Sequence, residues 1–256
     1  MKKNSIIALI ILVVTLVSFS GCSSKNRDDS KSWYKNNPLL EIGTDSYDFS
    51  MLPEYPNDAT VSRLTYYDVP QDTVDSMSTQ GLLKTCLDYP YSVNLVAYDT
   101  SKIGYHVVKS QFRPLAALVE RQDAPEILAS FYSSFTYSDA YYSDYDALFS
   151  IKMLEMIISD DVIVEKYDSA SRKAIVKQGI NNIVENSEEL DSYFFLSDTL
   201  HMVSKVLYYD CQEFKELADS DARIKSFVTG EAEYLDAEVD EEALSKIIDM
   251  ATDYMN

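Results

Sequence analysis

Proline placement constrains this chain more than any other feature. Four of the seven prolines fall between Pro38 and Pro70, and none follows Pro125. Proline lacks a backbone donor and breaks helix interiors. The 131 residues after Pro125 can therefore be helical without interruption, whereas 38–70 reads as an irregular wrap. Strict apolar–polar alternation is scarce, and 60–69 is the best strand candidate. Helical periods are clear instead. Ser78 caps a segment whose Leu82, Leu83, Cys86 and Leu87 share a face, and Pro90 ends it. Further starts are expected at Ser101, Pro114, Asp123, Asp144, Asp168 or Ser169, Ser192 and Asp240. Each segment carries one apolar stripe and must pack on neighbours. The expected fold is all-α, an irregular array of about nine helices packed as helical hairpins, a plan shared with armadillo and HEAT superhelices. No internal repeat of fixed period is present. Gly179, inside the segment opened by Asp168, predicts a close helix contact or a weak point of about 1 kcal/mol against Ala.

The N-terminus is built differently. Lys2 and Lys3 precede an apolar run from Ile6 to Phe19, interrupted only by Thr15 and Ser18. At 1.5 Å per residue that run is too short for about 30 Å of hydrocarbon, but it suits the apolar region of a signal peptide. Phe19-Ser20-Gly21-Cys22 follows. Small residues directly before a Cys resemble the lipobox of bacterial lipoproteins, although Phe19 stands where that family carries Leu. The resemblance implies cleavage before Cys22, diacylglycerol on its thiol, and a membrane partner reached through that lipid. Two or more acyl chains hold stably, since each buried CH₂ contributes about 0.8 kcal/mol. The expected organisation is a signal peptide over 1–21, lipidated Cys22 and a flexible tether over 22–37, the wrap over 38–70 and a helical domain over 71–256. The tether would average about 20 Å end to end. The expected location is the extracytoplasmic face of a cell membrane or envelope.

Charge narrows the partners. The chain has 22 basic and 42 acidic side chains and a net charge of −20. Nucleic acid is repelled by such a body. Three Cys cannot form a four-thiolate zinc site. Of these, Cys86 and Cys211 remain after lipidation. Cys86, among leucines, favours a buried thiol, and one long-loop disulfide is the alternative. A second resemblance covers about 72–132: Met77-Ser78-Thr79, Leu82-Leu83 and Thr85-Cys86-Leu87-Asp88-Tyr89-Pro90 are similar to a segment of uncharacterised secreted and lipid-anchored bacterial proteins. It implies no activity and no catalytic residue.

Candidate sites are few. His106 and His201 are the only histidines. His106 shares a helical face with Lys102, Lys109 and Ser110, and His201 with Asp198 and Lys205, so both read as surface residues of polar faces. No motif of a metalloprotease, deaminase or serine hydrolase is present. No catalytic residue, metal or cofactor is expected. Acidic clusters at Asp160-Asp161 and over 231–242 lack calcium-loop spacing and read as solvated surface. Tyr137, Asp139, Tyr141, Tyr142 and Tyr145 crowd rings beside carboxylates, a combination suited to a sugar or peptide groove or to aromatic packing between helices. The functional expectation is a lipid-anchored envelope protein that binds or scaffolds a protein, peptide or glycan through an acidic, Tyr-rich helical surface. The alternatives are an envelope hydrolase acting on glycan or peptide, and an assembly factor of an envelope complex.

Overall fold

The computed structural model describes residues 34, 37–41, 45–56, 60, 62–135, 145–186, 193–232, 235 and 240–255. These residues form fourteen α-helices and two 3-10 turns, with no strand among them. The fold is all-α. The first zone holds α1 (Pro38–Glu41), α2 (Arg63–Tyr66) and α3 (Gln71–Ser76), with a 3-10 turn at Phe49–Met51. Then follow α4 (Thr79–Leu87), a 3-10 turn at Ser92–Val96, α5 (Ser101–Gln111), α6 (Arg113–Glu120) and α7 (Ala124–Ser133). The remainder is α8 (Tyr145–Ile158), α9 (Asp161–Val164), α10 (Ser169–Asn186), α11 (Tyr193–Asp210), α12 (Gln212–Ser220), α13 (Ala222–Thr229) and α14 (Glu241–Met255).

Local chemistry sets most boundaries. The Ser78 hydroxyl accepts from the Gly81 N–H at 3.0 Å and starts α4. Thr100, one residue earlier than expected, caps α5 by accepting from the Ile103 N–H. Asp168 caps α10 through the Ser171 N–H at 2.7 Å. Asp123 precedes α7 but makes no cap bond. Its carboxylate accepts from the Thr79 hydroxyl at 2.6 Å and ties α7 to the start of α4. The strand expected over 60–69 is a short helix instead. Ser62 caps it by accepting from the Thr65 N–H at 3.2 Å, and a lone strand has no partner to complete its hydrogen bonds.

Helix α8 is the axis of the core. Every residue of 150–160 is buried, and α8 meets α4, α5, α7, α9 and α11. A helix that is mostly apolar and whose few polar side chains find buried partners belongs inside. α10 and α11 form a hairpin. Arg172 pairs with Asp210 at 2.7 Å, while Gly179 lies against Val203. Those two pairings run in opposite senses along the two helices, so α10 and α11 are antiparallel. α12 and α13 pack on each other and on α11.

The wrap is held by specific bonds. Asp45 accepts from the Ser78 N–H at 2.5 Å and from its hydroxyl at 2.8 Å. The Tyr47 N–H donates to the Thr85 hydroxyl at 2.9 Å. Phe49 inserts among Tyr89 and Phe112. At the end of the stretch expected as tether, Tyr34 is only 2 % exposed, and the Asn37 side chain donates to the Ser134 hydroxyl at 3.0 Å. The body therefore takes in residues that composition assigns to the tether. The ring of Tyr34 supplies the apolar surface that its polar neighbours lack.

Candidate ligand-binding cleft

A cleft of about 180 Å³ opens between α5, α11, the corner from α8 to α9, and the C-terminus of α13. Most residues that line it carry polar side chains, set among apolar stems. Lys102, His106 and Lys109 are spaced by four and three residues, so α5 turns all three to one side. His201 and Lys205 are four apart on α11 and face them. Asp160 and Asp161 stand at the turn where α8 ends and α9 begins. Both histidines of the chain and three of its lysines thus converge from helices distant in sequence.

The carboxylates are already engaged. Asp160 is buried. It accepts from the Tyr105 hydroxyl at 2.9 Å, the Lys109 ammonium at 2.7 Å and the Val162 N–H at 3.0 Å. Asp161 accepts from the Lys205 ammonium at 2.6 Å and the Tyr209 hydroxyl at 3.1 Å. Burial pulls the Asp161 carboxyl upward. The Lys205 ammonium and the Tyr209 hydroxyl outweigh that pull and leave it below the usual carboxylate range. Burial, then the Asp161 charge, pushes the Tyr209 phenol up to about 12. Tyr105 is pushed well above its ordinary value by burial and then by Asp160.

The end of α13 fixes Lys102 and His201. The Lys102 ammonium donates to the Thr229 carbonyl at 2.6 Å. Nδ1–H of His201 donates to the Phe227 carbonyl at 2.8 Å. Terminal carbonyls carry the negative end of a helix dipole, so cations settle there. The His201 bond selects one tautomer and makes Nε2 its basic nitrogen. Gly230 closes α13 at φ 72°, a left-handed conformation that favours Gly. A Cβ there would also lie 2.8 Å from the Lys102 stem. His106 is exposed. Burial, then Lys102, lowers its pKa; Asp160 pulls the other way, and Lys109 adds to the lowering.

The structure adds to the sequence reading of the histidines. Each face was legible, but the two are halves of one cleft, and only the packing of α5 and of α11 against α8 could reveal that. Asp198, expected beside His201, turns inward instead. It accepts from the Lys152 ammonium at 2.5 and 2.6 Å, with the Lys152 side chain fully buried. Next to that pair, Glu155 accepts from Tyr132 at 2.9 Å and Thr199 at 2.8 Å. Of the expected groove, Tyr137, Asp139, Tyr141 and Tyr142 lie outside the described residues, as does Cys22. Tyr145 opens α8, and its side chain is outside them too. Cys86 is buried and Cys211 half-buried, and both are free thiols. Burial pushes the Cys86 thiol up, which keeps it inert.

Among the described residues no cluster of three or more metal-ligating side chains occurs, and no helix is long and apolar enough to cross a membrane. The Ser159 hydroxyl in the cleft donates to the Met156 carbonyl at 3.2 Å. The arrangement supplies fixed hydrogen-bond donors rather than an activated nucleophile. No family model, curated protein or solved structure matches this chain.

Proposed function

We propose that this chain is a lipid-anchored binding protein of the bacterial cell envelope, holding a ligand in the cleft between α5 and α11. The leader and Cys22 support the anchor. One observation carries the binding site: the convergence of both histidines and three lysines on one concave surface of an otherwise acidic chain. A cleft of about 180 Å³ is below the range of drug-sized sites, so the ligand is small. The mechanism is capture without turnover, near the membrane to which the anchor confines the protein.

Two experiments test the two halves. Cys22→Ser should abolish palmitate labelling and move the protein from the membrane pellet to the soluble fraction; equal labelling and sedimentation overturn the anchor. For the cleft, a panel of amino acids, monosaccharides, organic acids and inorganic anions is screened by thermal unfolding. A ligand that binds the native state raises Tm by mass action. It should also move the His106 and His201 ring signals in NMR spectra. If no compound does either, the cleft is not a binding site.

A further inference from the structure

We infer that the group taken into this cleft is a compact oxyanion, a phosphate or a carboxylate, held by Lys102 and His106 with Lys109 and Lys205 as flanking donors. This rests on the binding reading above and names its ligand class.

The argument is a count of donors against acceptors. A Lys ammonium offers three N–H donors and no acceptor. Lys102 spends one on Thr229, Lys109 one on Asp160 and Lys205 one on Asp161. The remaining N–H groups exceed what the aspartates can absorb. Asp160 already accepts three hydrogen bonds, and one oxygen of Asp161 takes two. The terminal carbonyls of α13 are occupied by Lys102 and His201. What the site lacks is an acceptor, and a group with several oxygens on one centre supplies it.

Charge points the same way. Three ammoniums face two carboxylates here, so the cleft keeps a positive excess inside a chain of net −20. Lys102 is the source of that excess, because its partner is a carbonyl and not a carboxylate. His106 lies beside it, and burial, then the Lys102 charge, lowers its pKa. An anion between them cancels that repulsion and favours the imidazolium, adding a charge-assisted hydrogen bond. The volume suits the class: about 180 Å³ is the space of about six waters at ~30 Å³ each, enough for a phosphate or a short carboxylate.

The test uses the full lipidated chain in detergent and titrates inorganic phosphate, acetate and chloride at matched ionic strength, following histidine ring signals. Saturable binding of phosphate or acetate, with the His106 pKa rising on loading, is the expected result. The stronger of the two identifies the oxyanion. His106→Gln and Lys102→Gln should each weaken it by about tenfold or more, the worth of a hydrogen bond to a charged group. His106→Gln alters an exposed side chain and guards against loss of fold in the other variant. If phosphate and acetate behave like chloride, the oxyanion assignment is overturned. If glucose or another neutral compound then moves the same signals, the cleft still binds and only its ligand class was wrong. If nothing moves them, both readings fall.

Discussion

His106 carries a pH signature that can be worked out from its surroundings. Burial and Lys102 hold its pKa below the ordinary 6.5. The unfolded chain therefore takes up a proton first as pH falls. The linkage slope is positive in that window, so stability is complete above 6.5 and declines as pH drops toward the folded pKa. His106→Gln should lose less stability than the parent between about pH 8 and about pH 5, read as urea midpoints. Lys152 tests a different rule. Its ammonium and the Asp198 carboxylate are both almost fully buried, so removing one partner leaves a charge without compensation. Lys152→Met should cost about 3–5 kcal/mol, whereas Lys152→Met with Asp198→Leu should recover most of that. Chemical denaturation of the single and double variants measures the coupling. Composition hides such a pair, because Lys and Asp are usually solvated. The clue was the α8 segment itself, where Ser150, Lys152 and Glu155 are the only polar residues between Ala147 and Ile158.

At the scale of elements, Gly179 decides between the two expectations attached to it. A Cβ there would approach Val203 Cγ2 to 2.5 Å and Met202 Cε to 3.3 Å, so α10 and α11 are this close because position 179 has no side chain. Methionine can yield, but a β-branched valine on a helix has little rotamer freedom. Gly179→Ala should destabilise by about 1–3 kcal/mol from overpacking, despite the roughly 1 kcal/mol gain in helix propensity. Thermal unfolding checks the sign. The eight helix starts anticipated from caps, prolines and stripes correspond to α4–α8, α10, α11 and α14. A further helix, α13, carries its own local signals. Asp221 caps α13 through Arg223 and Ile224 N–H groups, and Gly230 ends it. An Asp nine residues before a Gly, with Ile224, Phe227 and Val228 between, is a complete start-and-stop signal. This helix matters, because its end supplies the carbonyls that hold Lys102 and His201.

For the whole molecule, the last residues of the expected tether are part of the fold and not packaging. Tyr34 is buried, with the Lys84 ammonium 5.9 Å from its ring centroid. A form beginning at Pro38 should therefore be less stable than one beginning at Ser30, by about 3 kcal/mol, the lower end for truncating a buried aromatic ring. The two melting temperatures measure this, and equal values contradict a structural role for Tyr34. Net charge acts at the same scale. A surface of −20 keeps polyanions away at long range, while salt screens it beyond about 8–10 Å. The cationic cleft works inside that distance, so a small anion can be selected where a nucleic acid is refused.

Sequence alone determined the fold class and eight of the fourteen helix starts, because proline, capping side chains and apolar periodicity act within a few residues of each other. It also carries the whole of the lipid-anchor expectation, which rests on the residues before Cys22. The cleft was decided only by tertiary structure. Lys102, His106 and Lys109 are brought opposite His201 and Lys205 by packing around a buried α8, across about a hundred residues of chain. No local pattern reports which polar face will meet which. The inward turn of Asp198 has the same origin: its role was set by Lys152, a partner 46 positions away.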